Sequence, residues 1–246
     1  LQEARLSTFL AADHGAVTDA SADVGDAFLS GSITDQQGLL NLRNLAQGNA
    51  VDPAAQRQFV RLFGYLGLDT GLLDRLASHM VQATRTDTPD APDAPLLPRS
   101  VDELAWWGVP AATITRLLPY ATLLPVRTRV NLNTAGAVVL WASIDDISMA
   151  DAQQLVQARD AHYFTKVSDA ASRLPKPDLI RVDTHDVASS YFEVRGQLRL
   201  GTIVVQERSL VFKQRRAART LWRERGGWLT TAQARLAPTM PGASPP

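Results

Sequence analysis

The chain has 246 residues, 45% of them apolar, enough for one large domain or two small ones and for a sizeable buried core. Lys plus Arg and Asp plus Glu number 25 each, so the formal net charge is zero and gives no global electrostatic case for nucleic acid or an anionic membrane. The absence of cysteine excludes disulfide staples, thiolate catalysis and thiolate metal sites. No stretch approaches the roughly 20 consecutive apolar residues of a membrane helix, and no charged leader followed by an apolar run opens the chain.

Residues Leu1 to Leu10 have the pattern of the middle of an amphipathic helix, with Leu6, Phe9 and Leu10 on one face. No capping residue precedes Leu1, so two readings stand: a helix continued from upstream, or an ordinary N-terminal helix packed on its own domain. Phe28 to Thr34 is short, Ser-rich and expected to be extended. Asp52 and Pro53 then suit the N-cap and first position of a helix carrying Phe59, Leu62, Phe63 and Leu66, with Gly67 as its stop. Asp69 is placed to cap a second helix with Leu72, Leu73, Leu76 and Met80. Thr86 to Pro95 alternates Asp and Pro without a core-forming residue and reads as an exposed loop.

Ser100 and Glu103 have the spacing of a capping box before Leu104, Trp106 and Trp107, and Gly108 suits the stop. Pro110 is placed to open a helix through Ile114, Leu117 and Leu118, which Pro119 ends. Asn133 or Thr134 is expected to cap a helix holding Val138, Val139, Leu140 and Trp141. Ser148 with Asp151 caps the next, through Leu155, Val156 and Arg159, and a short helix spans Ser168 to Leu174, closed by Pro175.

Tyr191 to Leu200 alternates strictly. Phe192, Val194, Gly196, Leu198 and Leu200 fall on one face and Glu193, Arg195, Gln197 and Arg199 on the other, which predicts a half-buried strand of an antiparallel sheet with one wet face. Ile203 to Val205, Leu210 to Phe212 and Leu221-Trp222 continue the strand signal, and Thr239 to Pro246 is expected to be a disordered tail. This order of elements gives an α+β chain with a helical insertion. The expected organisation is 1–48 as the first part of a sheet domain, 49–186 as the insertion, 187–228 as closing strands and 229–246 as tail.

Four segments in succession carry a resemblance. They are Gly31-Ser32-Ile33-Thr34-Asp35-Gln36-Gln37-Gly38-Leu39-Leu40-Asn41-Leu42; Phe59 to Asp69, ending Leu66-Gly67-Leu68-Asp69; Ser100 to Leu104 followed by Leu118-Pro119-Tyr120; and Leu124-Pro125-x-x-Thr128-x-Val130-Asn131-Leu132-Asn133-Thr134-Ala135. With the Tyr191-Phe192 strand, they make the chain resemble the K-type minor pseudopilin family of bacterial type II secretion.

The resemblance implies a pilin-like α+β fold: an N-terminal helix and a small antiparallel sheet, with a large all-helical domain inserted. It implies a leader and an apolar helix half upstream of Leu1, which would be the only membrane contact of a periplasmic domain anchored in the inner membrane. It further implies a place at the tip of a pseudopilus beside the I-type and J-type minor pseudopilins, with the secreted substrate or the outer-membrane secretin as further partners. Leu6, Phe9 and Leu10 would then form the partner-helix interface. Some relatives bind calcium near an acidic Asp-Trp-Ile-Asp segment. Here those positions read Ala77-Ser78-His79-Met80, and Asp87, Asp90 and Asp93 stand between prolines without the Gly turn and closing Glu of a compact loop. No calcium, and no other cofactor, is therefore expected.

Catalysis finds little footing. His14, His79, His162 and His185 fall into no metal spacing, and Asp183, His185 and Asp186 bridge helix and strand, where polar turn chemistry explains them. There is no Gly-x-Ser-x-Gly, Walker or Gly-x-Gly-x-x-Gly motif. The alternative is nucleic-acid binding. Val130 to Leu174 resembles the helix-hairpin-helix modules of DNA-uptake and repair proteins, which grip phosphate through a Gly-Ile-Gly turn beside a helix N-terminus. The turn here is Ile144-Asp145-Asp146-Ile147, without glycine and with two carboxylates in place of the phosphate, so it reads as a packing unit, and no nucleic acid is expected. The run Arg208, Lys213, Arg215, Arg216, Arg219, Arg223 and Arg225 reads as the solvated face and blunted edge of terminal strands, against the alternative of an acidic partner, nucleic acid or lipid headgroups.

Overall fold

The computed structural model describes residues 4–5, 27–85 and 94–226, which fall into two compact units. One comprises 4–5, 27–36 and 189–226; the other comprises 37–85 and 94–188.

The first unit is an antiparallel five-stranded sheet in the order β1 (Ala4–Arg5), β2 (Ala27–Asp35), β3 (Tyr191–Leu200), β4 (Ile203–Gln214) and β5 (Ala217–Arg225). Its central pairing joins distant sequence: Ile33 opposes Val194, and Leu29 opposes Leu198. Two hairpins complete it. Gly201 turns β3 into β4 at φ 56°, a left-handed conformation that costs glycine nothing, whereas Arg215 adopts φ 54° in the turn from β4 to β5. A register shift between Leu210 and Val211 bends the β4–β5 pair.

Two expectations are corrected in this unit. Ala4 and Arg5 are extended, not helical: they pair with Leu29 and Phe28, and this ladder satisfies backbone groups at the outer edge of β2. The second correction concerns which face of β3 is covered. Residues directly opposite across an antiparallel pair share a face, so Leu198 and Leu200 lie with Ile203 and Val205, and all four are exposed. Burial is instead concentrated on the opposite face, at Tyr191, Leu210, Arg208 and Ser30. The long stems of that face's arginines do the covering. The Arg199 guanidinium lies 4.1 Å from the Phe28 ring centre, and Arg208 lies against Trp222 while donating to Glu224 at 2.7 Å.

The second unit is helical, with α1 (Pro53–Leu66), α2 (Thr70–Ala83), a 3-10 helix (Val101–Trp107), α3 (Ala111–Leu117), α4 (Ala137–Ser143), α5 (Met149–Ala161) and α6 (Val167–Ala171). Asp52 caps α1 by accepting the Ala54 and Ala55 N–H groups, and Gly67 ends it at φ 58°. Asp69 caps α2, and Ser148 with Asp151 forms a reciprocal capping box on α5. The core is continuous, with Phe59, Leu62, Phe63, Leu73, Leu76, Met80, Leu104, Leu117, Leu140 and Leu155 all buried in one cluster.

Two caps differ from expectation. Ser100 makes no side-chain cap, because the Glu103 carboxylate reaches past it to accept the Arg99 N–H at 2.6 Å, and the segment winds as a 3-10 helix. Gly136, not Asn133 or Thr134, stands at the N-cap of α4, because Asn133 is committed elsewhere. The hand-over between units falls at Gln36/Gln37 rather than after residue 48, since Leu40, Leu42, Leu45 and Ala46 are buried in the helical core.

Candidate functional site

Leu6, Phe9 and Leu10 lie outside the described residues, as do the acidic loop residues Asp87, Asp90 and Asp93 and the tail expected after 228. The remaining motif residues are placed, and their side chains clamp loops together.

Asn41 Oδ1 accepts the Arg43 and Leu124 N–H groups, while its Nδ2 donates to Val126 O and Thr128 Oγ1 at 2.8 and 3.0 Å. Asn44 exchanges two bonds with the Thr128 backbone. The first and fourth motif segments, more than 80 residues apart, are thus locked side by side. Gly38 completes the junction: a Cβ there would stand 2.9 Å from Thr134 Oγ1 and 3.0 Å from Thr134 O. Asn133 extends the clamp, donating from Nδ2 to Phe164 O and Val187 O and accepting the Phe164 N–H. An asparagine carries donors and an acceptor on one planar group, and no other side chain of this size supplies that set here.

The Asp183, His185 and Asp186 cluster separates into three unrelated roles. Asp183 pairs with Arg181, which together with its hydrogen bonds holds its carboxyl below the usual range, and Asp186 pairs with Arg129 at 3.0 Å. His185 is buried between Thr184 Oγ1 at 2.9 Å and Ser143 Oγ at 3.1 Å, and burial pushes its pKa down to about 4. It is a neutral, hydrogen-bonded core residue at pH 7.

The helix-hairpin-helix turn is engaged from within the unit. Asp146 takes a left-handed φ of 59°, and Arg61 of α1 donates to the carbonyls of Ile144 and Ile147 at 2.6 and 3.4 Å. The same guanidinium lies 4.7 Å from the Trp141 ring centre and 3.7 Å from Asp145. A turn of this shape presents amides to a phosphate elsewhere; here its carbonyls and carboxylate hold an arginine of the same chain. Sequence reasoning missed Arg61, together with Arg127, which pairs with Asp52, and Arg159, which donates to Leu132 O and Ala135 O. No sequence signal distinguishes these arginines from a solvated helix face.

The positions where an acidic calcium segment would fall do not fit a hard cation. Ala77 and Met80 are buried in the core, and the His79 ring stands edge-on to Trp107 at 5.4 Å. Among the described residues no group of three His, Asp or Glu side chains is placed to hold a metal ion. In the basic run, Arg208 pairs with Glu224, and Arg223 and Arg225 flank Glu207, while Lys213, Arg215, Arg216 and Arg219 are exposed around the β4–β5 turn.

An antiparallel sheet built from two distant segments, with a helical unit inserted between them in sequence and the motif asparagines spent on internal clamps, defines an α+β chain of pilin-like topology. Two family models described as type II secretion system protein K match residues 130–195 and 38–126, together well over half of the chain. The chain belongs to the type II secretion system protein K family, the K-type minor pseudopilins. A curated relative, the type II secretion system protein K of Pseudomonas aeruginosa, is 29% identical over 187 residues, covering 69% of this chain. The chain spans 56% of that relative's length. A crystal structure of the GspK-GspI-GspJ complex from the type 2 secretion system of enterotoxigenic Escherichia coli shares the fold, at a TM-score of 0.62 and 22% identity, covering 83% of this chain and 81% of its counterpart.

Proposed function

We propose that the chain is the periplasmic part of a non-enzymatic minor pseudopilin that helps to initiate and cap the tip of the type II secretion pseudopilus, and so promotes export across the outer membrane. The observation that carries this reading is the chain's topology. One helical unit with its own core is inserted between Asp35, the last residue of β2, and Tyr191, the first of β3, two strands that pair with each other. A sheet unit of this kind would join a filament, while a bulky helical insertion would leave no equivalent surface for a further subunit.

I-type and J-type minor pseudopilins are the proposed partners, supported by the matched structure, in which the related protein is complexed with GspI and GspJ. Secreted substrate and the outer-membrane secretin are further partners. Anchorage in the inner membrane would come from a segment preceding Leu1, with Leu6, Phe9 and Leu10 packing on neighbouring helices. No cofactor enters the proposed mechanism, and no nucleic acid does, since the hairpin turn has no glycine and carries the carboxylates of Asp145 and Asp146 where a phosphate would bind.

The test is size-exclusion chromatography of the chain with I-type and J-type soluble domains. A three-protein complex is expected, weakened at least tenfold by Leu6→Asp with Phe9→Asp. Complex formation unchanged by both substitutions would remove the helix-stripe interface, and failure to form any complex would remove the tip assignment.

A further inference from the structure

The basic run on β4 and β5 divides into two halves with different surroundings. Arg208, Arg223 and Arg225 are neutralised within the sheet by Glu224 and Glu207. Lys213, Arg215, Arg216 and Arg219 are all exposed, and none of them pairs with a carboxylate among the described residues.

Register gathers these four groups on one knob. Gln214 opposes Ala217 and Lys213 opposes Ala218, so Arg215 and Arg216 form the two-residue turn between β4 and β5. Phe212 opposes both Arg219 and Tyr191, and the Phe212 and Tyr191 rings stand 5.0 Å apart at the base of the turn. The Lys213 N–H donates to Ser190 O at 2.7 Å, which extends the ladder to that base. Directly opposed residues share a face, and successive residues alternate. Lys213 therefore lies on one face of the hairpin, Arg219 on the other, and Arg215 with Arg216 at the apex.

The apex is also strained. Arg215 holds φ 54°, in the left-handed region where a residue with a Cβ is disfavoured and glycine or asparagine is the ordinary choice for a hairpin turn. The other hairpin of this sheet makes that choice, with Gly201 at φ 56°. An edge merely blunted by charge needs no arginine at that position. A strained residue that departs from ordinary turn chemistry points to a site.

We infer that the β4–β5 turn docks into an acidic, carboxylate-lined surface of a protein partner. Three features favour such a partner over lipid headgroups or nucleic acid. The unpaired positive charge is confined to one turn of a chain whose formal net charge is zero, so no extended basic face follows a polyanion. No large apolar side chain occurs from Lys213 through Thr220, so the turn has nothing to insert into a bilayer. Three of the four cations are arginines, whose planar forks pair with carboxylates at two points. Cations at the apex and on both faces of a fixed turn suit a shaped acidic cleft better than a flat charged surface.

The test uses the full chain with three probes: a fluorescent polyglutamate peptide, vesicles of phosphatidylcholine with phosphatidylglycerol, and a short DNA duplex. Binding is measured at physiological salt, where charges more than about 8 Å away are largely screened. Changing Arg215, Arg216 and Arg219 together to Gln is expected to weaken peptide binding about fivefold or more. Changing Arg223 and Arg225 to Gln, in the neutralised half, should alter it by less than about twofold. Arg215→Gly relieves the turn, so it should raise the urea midpoint and yet weaken the peptide. Equal losses in the two Gln variants would overturn the inference. So would vesicles or duplex binding more tightly than the peptide through the same arginines, or peptide binding left intact by Arg215→Gly.

Discussion

The helical unit and the sheet unit solve the problem of burial differently. In the first, apolar side chains from α1, α2, α3, α4 and α5, with those of the loops between them, disappear into one cluster. In the second, the buried apolar residues among those described are Ala27, Tyr191 and Leu210, and stability rests on the ladder of main-chain pairs and on arginine stems laid over aromatic rings. Ile33, Leu198, Leu200, Ile203 and Val205 remain exposed on one sheet face. A unit with a closed core carries its stability inside itself, whereas a sheet with an uncovered apolar face is finished by what it meets.

The sharpest way to break the comparison is to remove the same kind of atoms from each unit. Phe63→Ala in α1 takes a fully buried ring out of the helical core and should cost about 3–5 kcal/mol. Ile203→Ala, at a residue 64% exposed, should change stability by no more than about 0.5 kcal/mol. Urea unfolding followed by circular dichroism checks both. Comparable losses would mean that the sheet tip is packed as tightly as the helical core.

Acid provides the next effect in size. His185 is held neutral by burial, with a pKa near 4 against an ordinary 6.5. Between those values the unfolded chain binds a proton that the folded chain refuses. Stability is therefore fully present above pH 6.5 and falls as the pH drops towards 4, by up to about 3 kcal/mol from this group. His185→Gln should flatten the dependence of the urea midpoint over that window, and an unchanged slope would show that His185 is not the group responsible.

Arg61 ranks third. Arg61→Met keeps the stem but strips the Ile144 and Ile147 carbonyls of their donor, at an expected cost of about 1–3 kcal/mol. Its neighbour Arg57, more than half exposed and 3.6 Å from Asp145, should lose no more than about 0.5 kcal/mol on change to Ala. Equal losses would make the turn contact an ordinary surface pair.

The difference between these two arginines marks the limit of what was legible beforehand. Local signals read well: Asp52-Pro53, Gly67, Asp69 and Ser148 with Asp151 acted where their chemistry placed them, because caps and stops are decided within a few residues. The strands were also legible from alternation, but not which face of β3 would be covered, because arginine stems over Phe28 and Trp222 bury a face that reads as polar. Of the clamp residues, Asn41 and Asn133 were visible as motif residues and Asn44 was not, and none of their partners was visible. Those partners are mostly backbone carbonyls and amides tens of residues away, which leave no trace in composition.

The smallest prediction concerns the caps themselves. Asp52 is a working cap: its carboxylate takes two α1 amides and also meets Arg127, which outweighs its burial and holds its pKa below the usual range. Asp52→Ala should cost about 1–2 kcal/mol. Asp52→Asn, which keeps an oxygen for the amides while weakening the tie to Arg127, should cost less than the alanine change. Ser100 has the residue type and spacing of a cap but makes no cap bond. Ser100→Ala should therefore shift stability by no more than a few tenths of a kcal/mol, within the range of an ordinary surface change. A loss at Ser100 equal to that at Asp52 would mean that its hydroxyl caps the 3-10 helix in solution, and that the Glu103 bond to Arg99 is not what organises that helix start.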